Sequence, residues 1–219
     1  MDRAQVYEIA NKIVDDVRML LKHKILATIR YKRFYNLISN GKFEVYHVHD
    51  LIRCYNAAMI EINASLDEIE KAIESEVDFH AVPTMTELSV RKFLLNVKVP
   101  DGVYEKRVGK YVIIGKPDFE YVLGNGKVVP VEVKVGIGRE VLKPENYAVM
   151  QCKFYCWLMN VNYCILLYIA RKINVFIIEN DLTNEKVLEY IENWKKKIPF
   201  HKDECLTCRY RHMCDLYGK

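Results

Sequence analysis

An α/β domain with a mixed sheet flanked by helices is what this sequence predicts, and three observations predict it. Helical periodicity dominates the first part of the chain, β-branched and alternating runs crowd its middle, and a helix, two strands and a further helix complete the order. A length of 219 residues, 51% of them hydrophobic and six of them proline, suits a single packed core. Near its end the chain turns basic and cysteine-rich. The expected organisation is one domain, 1–219, with a helical N-terminal part (1–95), a strand-rich core (96–199) and a tail (200–219).

In the N-terminal part, Val6, Ile9, Ala10, Ile13, Val17, Leu20 and Leu21 recur at helical spacing, so residues 3–39 read as mostly helical scaffold. Glu44 to His49 is expected to form a short strand. Asp50 then caps a helix running from Leu51 to about Ser75, with Cys54 in its first turn. On its own Cys54 reads as a small buried apolar residue. Thr84-x-x-Glu87 has the form of a capping box, and His80 lies at the junction before it. Taken alone, His80 is equally an ordinary surface histidine. Asn96 to Tyr104, with Asp101-Gly102 as its turn, is expected to be a hairpin.

The chemistry concentrates in the core. Tyr111 to Ile114, Phe119 to Leu123 and Val128 to Val135 are strand-like, and Gly124-Asn125-Gly126 reads as a hairpin turn between the last two. That hairpin brings Asp118, in Gly115-Lys116-Pro117-Asp118, toward Glu132 and Lys134 in Glu132-Val133-Lys134. Two carboxylates at strand ends suit a hard divalent cation such as Mg²⁺ or Mn²⁺. A lysine beside them can position a water and offset charge building on a phosphoryl group. E-x-K on a strand is also a common solvated charge pair.

A helix from Glu145 to Asn160 follows, its apolar stripe Tyr147, Met150, Phe154, Trp157 and Leu158 facing the core. Gln151 and Tyr155 lie one turn apart on a neighbouring face, and Gln151 is one of two glutamines in the chain. Cys152 and Cys156 share the i, i+4 spacing of a metal clasp but read as core packing, with no further ligands close by. Tyr163 to Ala170 and Ile173 to Glu179 are expected to form a hairpin, and Thr183 to Lys197 the last helix.

Seven cysteines, an odd number, argue against a disulfide framework. Cys205, Cys208 and Cys214 stand as C-x2-C-x5-C in a tail short of aliphatics, which makes sense mainly as thiolate ligation. His212 would complete a zinc site, whereas an iron–sulfur cluster would take a fourth cysteine from elsewhere. The net charge of +4 permits a nucleic-acid partner without requiring one. No apolar run approaches membrane-spanning length and the N-terminus lacks a signal-peptide core, so a cytoplasmic protein without membrane contact is expected.

The ordered set Cys54, His80, G-x-P-D, E-x-K, Gln151-x-x-x-Tyr155 and C-x2-C-x5-C resembles the RecB-like branch of the PD-(D/E)xK nucleases that carry an iron–sulfur cluster. The likeness spans about Asp50 to Cys214. Its size and lack of a helicase region look most like the CRISPR-associated RecB-like exonucleases or their viral relatives. The resemblance implies a restriction-endonuclease-like core across 96–199 and a metal held by Asp118, Glu132, His80 and the Val133 carbonyl. It further implies that Lys134 orients or activates water. Gln151 and Tyr155 would face the DNA backbone, helped by Arg139 and Lys153. It also implies that Cys54, Cys205, Cys208 and Cys214 hold a cluster, expected to be [4Fe-4S], joining the two ends of the chain. The implied activity is Mn²⁺- or Mg²⁺-dependent exonucleolytic hydrolysis of single-stranded DNA, with the CRISPR integrase complex as the implied partner. The rivals are a structure-selective endonuclease of the same fold and a non-catalytic, zinc-containing nucleic-acid-binding protein.

Overall fold

The computed structural model describes residues 26–34, 41–74, 97–135, 141–170, 172–196, 205 and 208–214, with positions 12, 19, 22, 23 and 36. The described helices are α1 (26–34), α2 (Val48–Leu51), α3 (Tyr55–Asn63), α4 (Leu66–Glu74), α5 (Asn146–Met159) and α6 (Asn184–Lys196). The strands are β1 (Glu44–His47), β2 (Val97–Lys98), β3 (Tyr104–Val108), β4 (Tyr111–Gly115), β5 (Phe119–Val122), β6 (Val128–Val135), β7 (Tyr163–Ile169) and β8 (Ile173–Glu179). The capping box expected at Thr84 lies outside the described residues.

Two sheets result. One has the order β1-β4-β3, with β1 parallel to β4; the other has the order β2-β5-β6-β7-β8, with only β6 and β7 parallel. β4 is apolar and buried along its whole length, as a strand covered on both faces must be. Beyond Gly115 the chain crosses from one sheet to the other, and Pro117, with no N–H to give, cannot extend a ladder there. The β5–β6 hairpin closes as expected: the Leu123 amide donates to the Lys127 carbonyl (2.8 Å), and Gly126 takes a φ of +77° that glycine adopts without strain. Pro130 is tolerated in β6 because pairing with β7 begins only at Val131.

Parallel β6 and β7 need a crossover, and α5 supplies it. This helix lies between the sheets, which is why it is buried nearly all round. Phe154, Tyr155, Trp157 and Leu158 pack with Tyr46, Val108, Tyr111 and Ile113, whereas Ala148, Cys152 and Cys156 pack with Cys164, Leu166, Tyr168 and Ile178. The expected apolar stripe is thus only one of its two buried faces, and Tyr147 is exposed. α6 covers the first sheet through Val187, Ile191 and Trp194; burying each such side chain contributes about 1.5–3 kcal/mol.

Two expectations are corrected. The helix expected from Leu51 onward is, over the described residues to Glu74, broken into three: α2 ends at Leu51, Cys54 is the N-cap of α3 rather than a first-turn residue, and α4 begins after Ser65. The break is held from a distance, since Tyr190 Oη donates to the Leu51 carbonyl (2.9 Å) and Trp194 Nε1 to the Arg53 carbonyl (2.7 Å). Ser65 and Glu68 then form a reciprocal cap on α4. Asp50 sits inside α2, where its carboxylate accepts the His47 amide (2.9 Å), so His47 and not Asp50 is the N-cap. The second correction concerns residues 96–104. The described residues among them, 97–104, form no hairpin: β2 pairs with β5 and β3 with β4, so the Asp101-Gly102 bend carries the chain between sheets.

A smaller core forms where α1, α3 and α4 meet the tail, from Leu26, Ile29, Cys54, Ala57, Ile69, Ala72, Ile73 and Tyr210. Beside it Lys32, Asp50 and Glu61, all buried, join the partly buried Arg53 in a charge-balanced quartet with contacts of 2.6–2.7 Å.

Candidate active site and cysteine pocket

Asp118 stands where the chain enters β5, and its Oδ2 accepts the Val133 amide of β6 at 2.8 Å. The N–H and C=O of one strand residue leave on the same side, so the Val133 carbonyl is also turned toward Asp118. Glu132 precedes it on the other face of β6, 3% exposed. Its Oε1 accepts Lys134 Nζ at 2.6 Å, while its Oε2 is buried and, among the described residues, has no hydrogen-bond partner. A buried carboxylate oxygen left in this state is costly unless it serves a ligand.

Lys134 Nζ also donates to Gln151 Oε1 (2.8 Å), and Gln151 Nε2 donates to Tyr155 Oη (2.9 Å), a continuous chain from strand to helix. Burial would lower the Lys134 pKa, but Glu132, with Asp118 behind it, more than offsets this and keeps the ammonium charged. Burial drives the Tyr155 phenol well above its ordinary value, and Glu132 and Asp118 add to the effect, so the hydroxyl stays protonated. Gly115 leaves room for this arrangement: a Cβ there would lie 2.7 Å from Val48 Cγ2, 2.9 Å from Leu158 Cδ1 and 3.1 Å from Tyr155 Cε1.

The structure therefore brings together Asp118, Glu132, Val133, Lys134, Gln151 and Tyr155. Lys153 it does not bring: two residues beyond Gln151 and so on the opposite side of α5, it pairs with Asp181 at 2.8 Å. His80 and Arg139 lie outside the described residues.

Sequence reading missed Glu120. Two residues past Asp118 and thus on the same face of the strand, it is 1% exposed, accepts the Tyr104 hydroxyl and lies 2.9 Å from Lys98. The signal was the alternation of acids at 118 and 120, inside a run that otherwise reads as ordinary strand.

No disulfide joins any of the seven cysteines. Cys54, Cys205, Cys208 and Cys214 line one pocket with Asn56, Ala57, Ile60 and Arg211. Asn56 Nδ2 donates to Cys214 Sγ at 3.6 Å. The tail is anchored by Tyr210, 1% exposed, whose hydroxyl donates to Glu61 Oε1 at 2.9 Å, and a 3₁₀ turn at Arg211–Met213 carries the chain on to Cys214. His212 is exposed on that turn. Cys152, Cys156 and Cys164 are buried in the separate core between α5 and β7, and burial raises the Cys164 thiol pKa well above its usual value. Among the described residues, no three His, Cys, Asp or Glu side chains converge tightly enough to hold a single metal ion. No described helix is long and apolar enough to cross a membrane.

No family model matches the chain, and no curated protein matches it. Its fold is similar to that of the crystal structure of SSO0001, with 24% sequence identity and a TM-score of 0.66 over 90% of this chain and 97% of that one.

Proposed function

We propose that the chain is a metal-dependent deoxyribonuclease of the RecB-like PD-(D/E)xK type, hydrolysing single-stranded DNA from an end. The observation that carries this reading is the buried Glu132 carboxylate, with one oxygen tied to Lys134 and the other without a partner among the described residues, beside Asp118 on the neighbouring strand. Hard oxygen donors in this setting fit Mn²⁺ or Mg²⁺. Asp118, Glu132 and the Val133 carbonyl would hold the ion, with His80 as a further ligand. When bound, the ion supplies Lewis acidity, making water a better nucleophile and offsetting phosphoryl charge.

The chain's own residues do the remaining work. Lys134, tethered by Glu132 and Gln151, orients the water that adds to phosphorus, while the leaving oxygen departs to give one phosphate monoester and one hydroxyl. Gln151 fixes Lys134 and Tyr155 relative to each other, and Tyr155 presents a protonated hydroxyl. The four pocket cysteines form a donor set for a [4Fe-4S] cluster that clasps the tail to α3 and takes no part in hydrolysis.

The test is anaerobically purified protein with iron and sulfide analysis, assayed on linear and circular single strands. Linear DNA is degraded with Mn²⁺ and not with chelator, circles survive, and Asp118→Asn and Glu132→Gln each lose more than 100-fold in rate while melting as folded proteins. Cut circles would make the enzyme an endonuclease. An iron-replete protein that cleaves no DNA with Mn²⁺ would overturn the reading, and one zinc without iron would replace the cluster.

A further inference from the structure

We propose that Tyr147 is a stacking platform for an unpaired base next to the scissile phosphate, and that this ring selects single-stranded substrate. Tyr147, Gln151 and Tyr155 stand at i, i+4 and i+8 on α5, one stripe pointing along the site. Its inner members are 5% and 2% exposed and hydrogen-bonded to each other, whereas Tyr147 is 38% exposed. Lys134 Nζ lies 5.7 Å from the centre of the Tyr147 ring. The stripe thus passes from buried polar machinery to a partly exposed aromatic ring beside Lys134, the residue assigned to orient the attacking water.

An aromatic face next to a phosphate-binding cation is what single-strand binding requires. The cation holds the backbone, and the ring takes the base regardless of its identity. A base inside a duplex has both faces covered by its neighbours, so an internal base is received only when it is unpaired. A phosphate at Lys134 puts the adjoining base within reach of a ring 5.7 Å from that ammonium. The alternative, that the ring only shelters the Lys134 charge as a cation–π partner, makes no reference to any base.

This inference rests on the nuclease reading of Asp118, Glu132 and Lys134, and the experiment separates the two. Linear oligothymidylates carrying one abasic site, walked along from the end, are bound in Ca²⁺ and cut in Mn²⁺ by the full-length protein. Wild-type binding falls about tenfold when the abasic site reaches one position. Tyr147→Leu weakens binding to intact DNA by a similar factor and is indifferent to the abasic site there; Tyr147→Phe, which keeps the ring, keeps the coupling. Stacking is overturned if wild-type protein cuts DNA but shows no sensitive position, or if Tyr147→Leu loses equally on every oligonucleotide. It is also overturned if Tyr147→Leu binds and cuts as wild type. Wild-type protein that neither binds nor cuts any of them removes the nuclease reading and the stacking together.

Discussion

Lys134 on β6 and Gln151 on α5 meet across 2.8 Å, ammonium to amide oxygen, and this contact locks the strand's charged pair to the crossover helix. Gln151→Ala removes it and also leaves the Tyr155 hydroxyl without its buried partner. The expected result is a loss of one to two decades in single-turnover cleavage, about 1.4 kcal/mol per decade. A stability cost of about 1–3 kcal/mol accompanies it. Stopped or quenched-flow rates beside a thermal melt measure both, and a wild-type rate would reduce Gln151 to packing.

Gly115→Ala acts on the same site from beneath. The new methyl would lie under 3.0 Å from Val48 and Leu158, which forces a shift, and at a tight 3.1 Å from Tyr155, which must give by a few tenths of an ångström. Overpacking of this kind costs about 1–3 kcal/mol. Because Tyr155 is one of the three neighbours, the proposed cleavage is expected to fall along with stability. Adding Leu158→Ala opens space on one side and should recover part of the activity although it removes a core side chain. A double variant worse than either single one in rate would show that crowding at Tyr155 is not the cause.

If the proposed cluster ties Cys54 to the tail cysteines, Cys54→Ala opens that clasp between α3 and the tail. A tie closing about 150 residues removes roughly 5 kcal/mol of unfolded-chain entropy as an upper figure. The variant is expected to be pale, to melt well below the wild type, and to be cut readily by trypsin at Arg209 and Arg211. Full iron and sulfide content in Cys54→Ala would remove Cys54 from the ligand set.

Acid should attack the ion quartet before the sheets. Burial alone would raise the Asp50 carboxyl, but Lys32 and Arg53 outweigh it and hold it at about 2; burial opposes and Arg53 and Lys32 likewise hold Glu61 well below its usual value. Both groups bind protons more weakly folded than unfolded, so their stabilisation is complete above about pH 5 and is lost progressively as pH falls toward 2. Melting temperature is expected to drop through that window, with release of Tyr210 reported by its fluorescence or by proteolysis of the tail. A flat profile from pH 5 to pH 2 would contradict the assignment.

What could be read in advance was local. E-x-K, the Gly124-Asn125-Gly126 turn and the Gln151–Tyr155 face depend on spacing within one strand, turn or helix, and the structure places each as spacing requires. The break at Cys54 escaped because its cause, Tyr190 and Trp194, comes from α6 at the far end of the chain. Lys32, Asp50, Arg53 and Glu61 each look like ordinary surface charges until the fold brings them together, and Glu120 becomes a buried acid only once Tyr104 and Lys98 arrive from separate strands. Ser65-x-x-Glu68, in contrast, carried a readable cap that the uninterrupted helical periodicity concealed.

The crossing from β4 to β5 at Gly115-Lys116-Pro117-Asp118 also sets when the molecule becomes competent. Asp118 is held between a sheet that waits for β1 to reach β4 in parallel and a sheet that waits for α5 to bring β7 to β6. Both closures join segments distant in sequence, the slow kind of contact in folding. In refolding, the return of the proposed cleavage activity is therefore expected to lag behind the return of the far-ultraviolet signal.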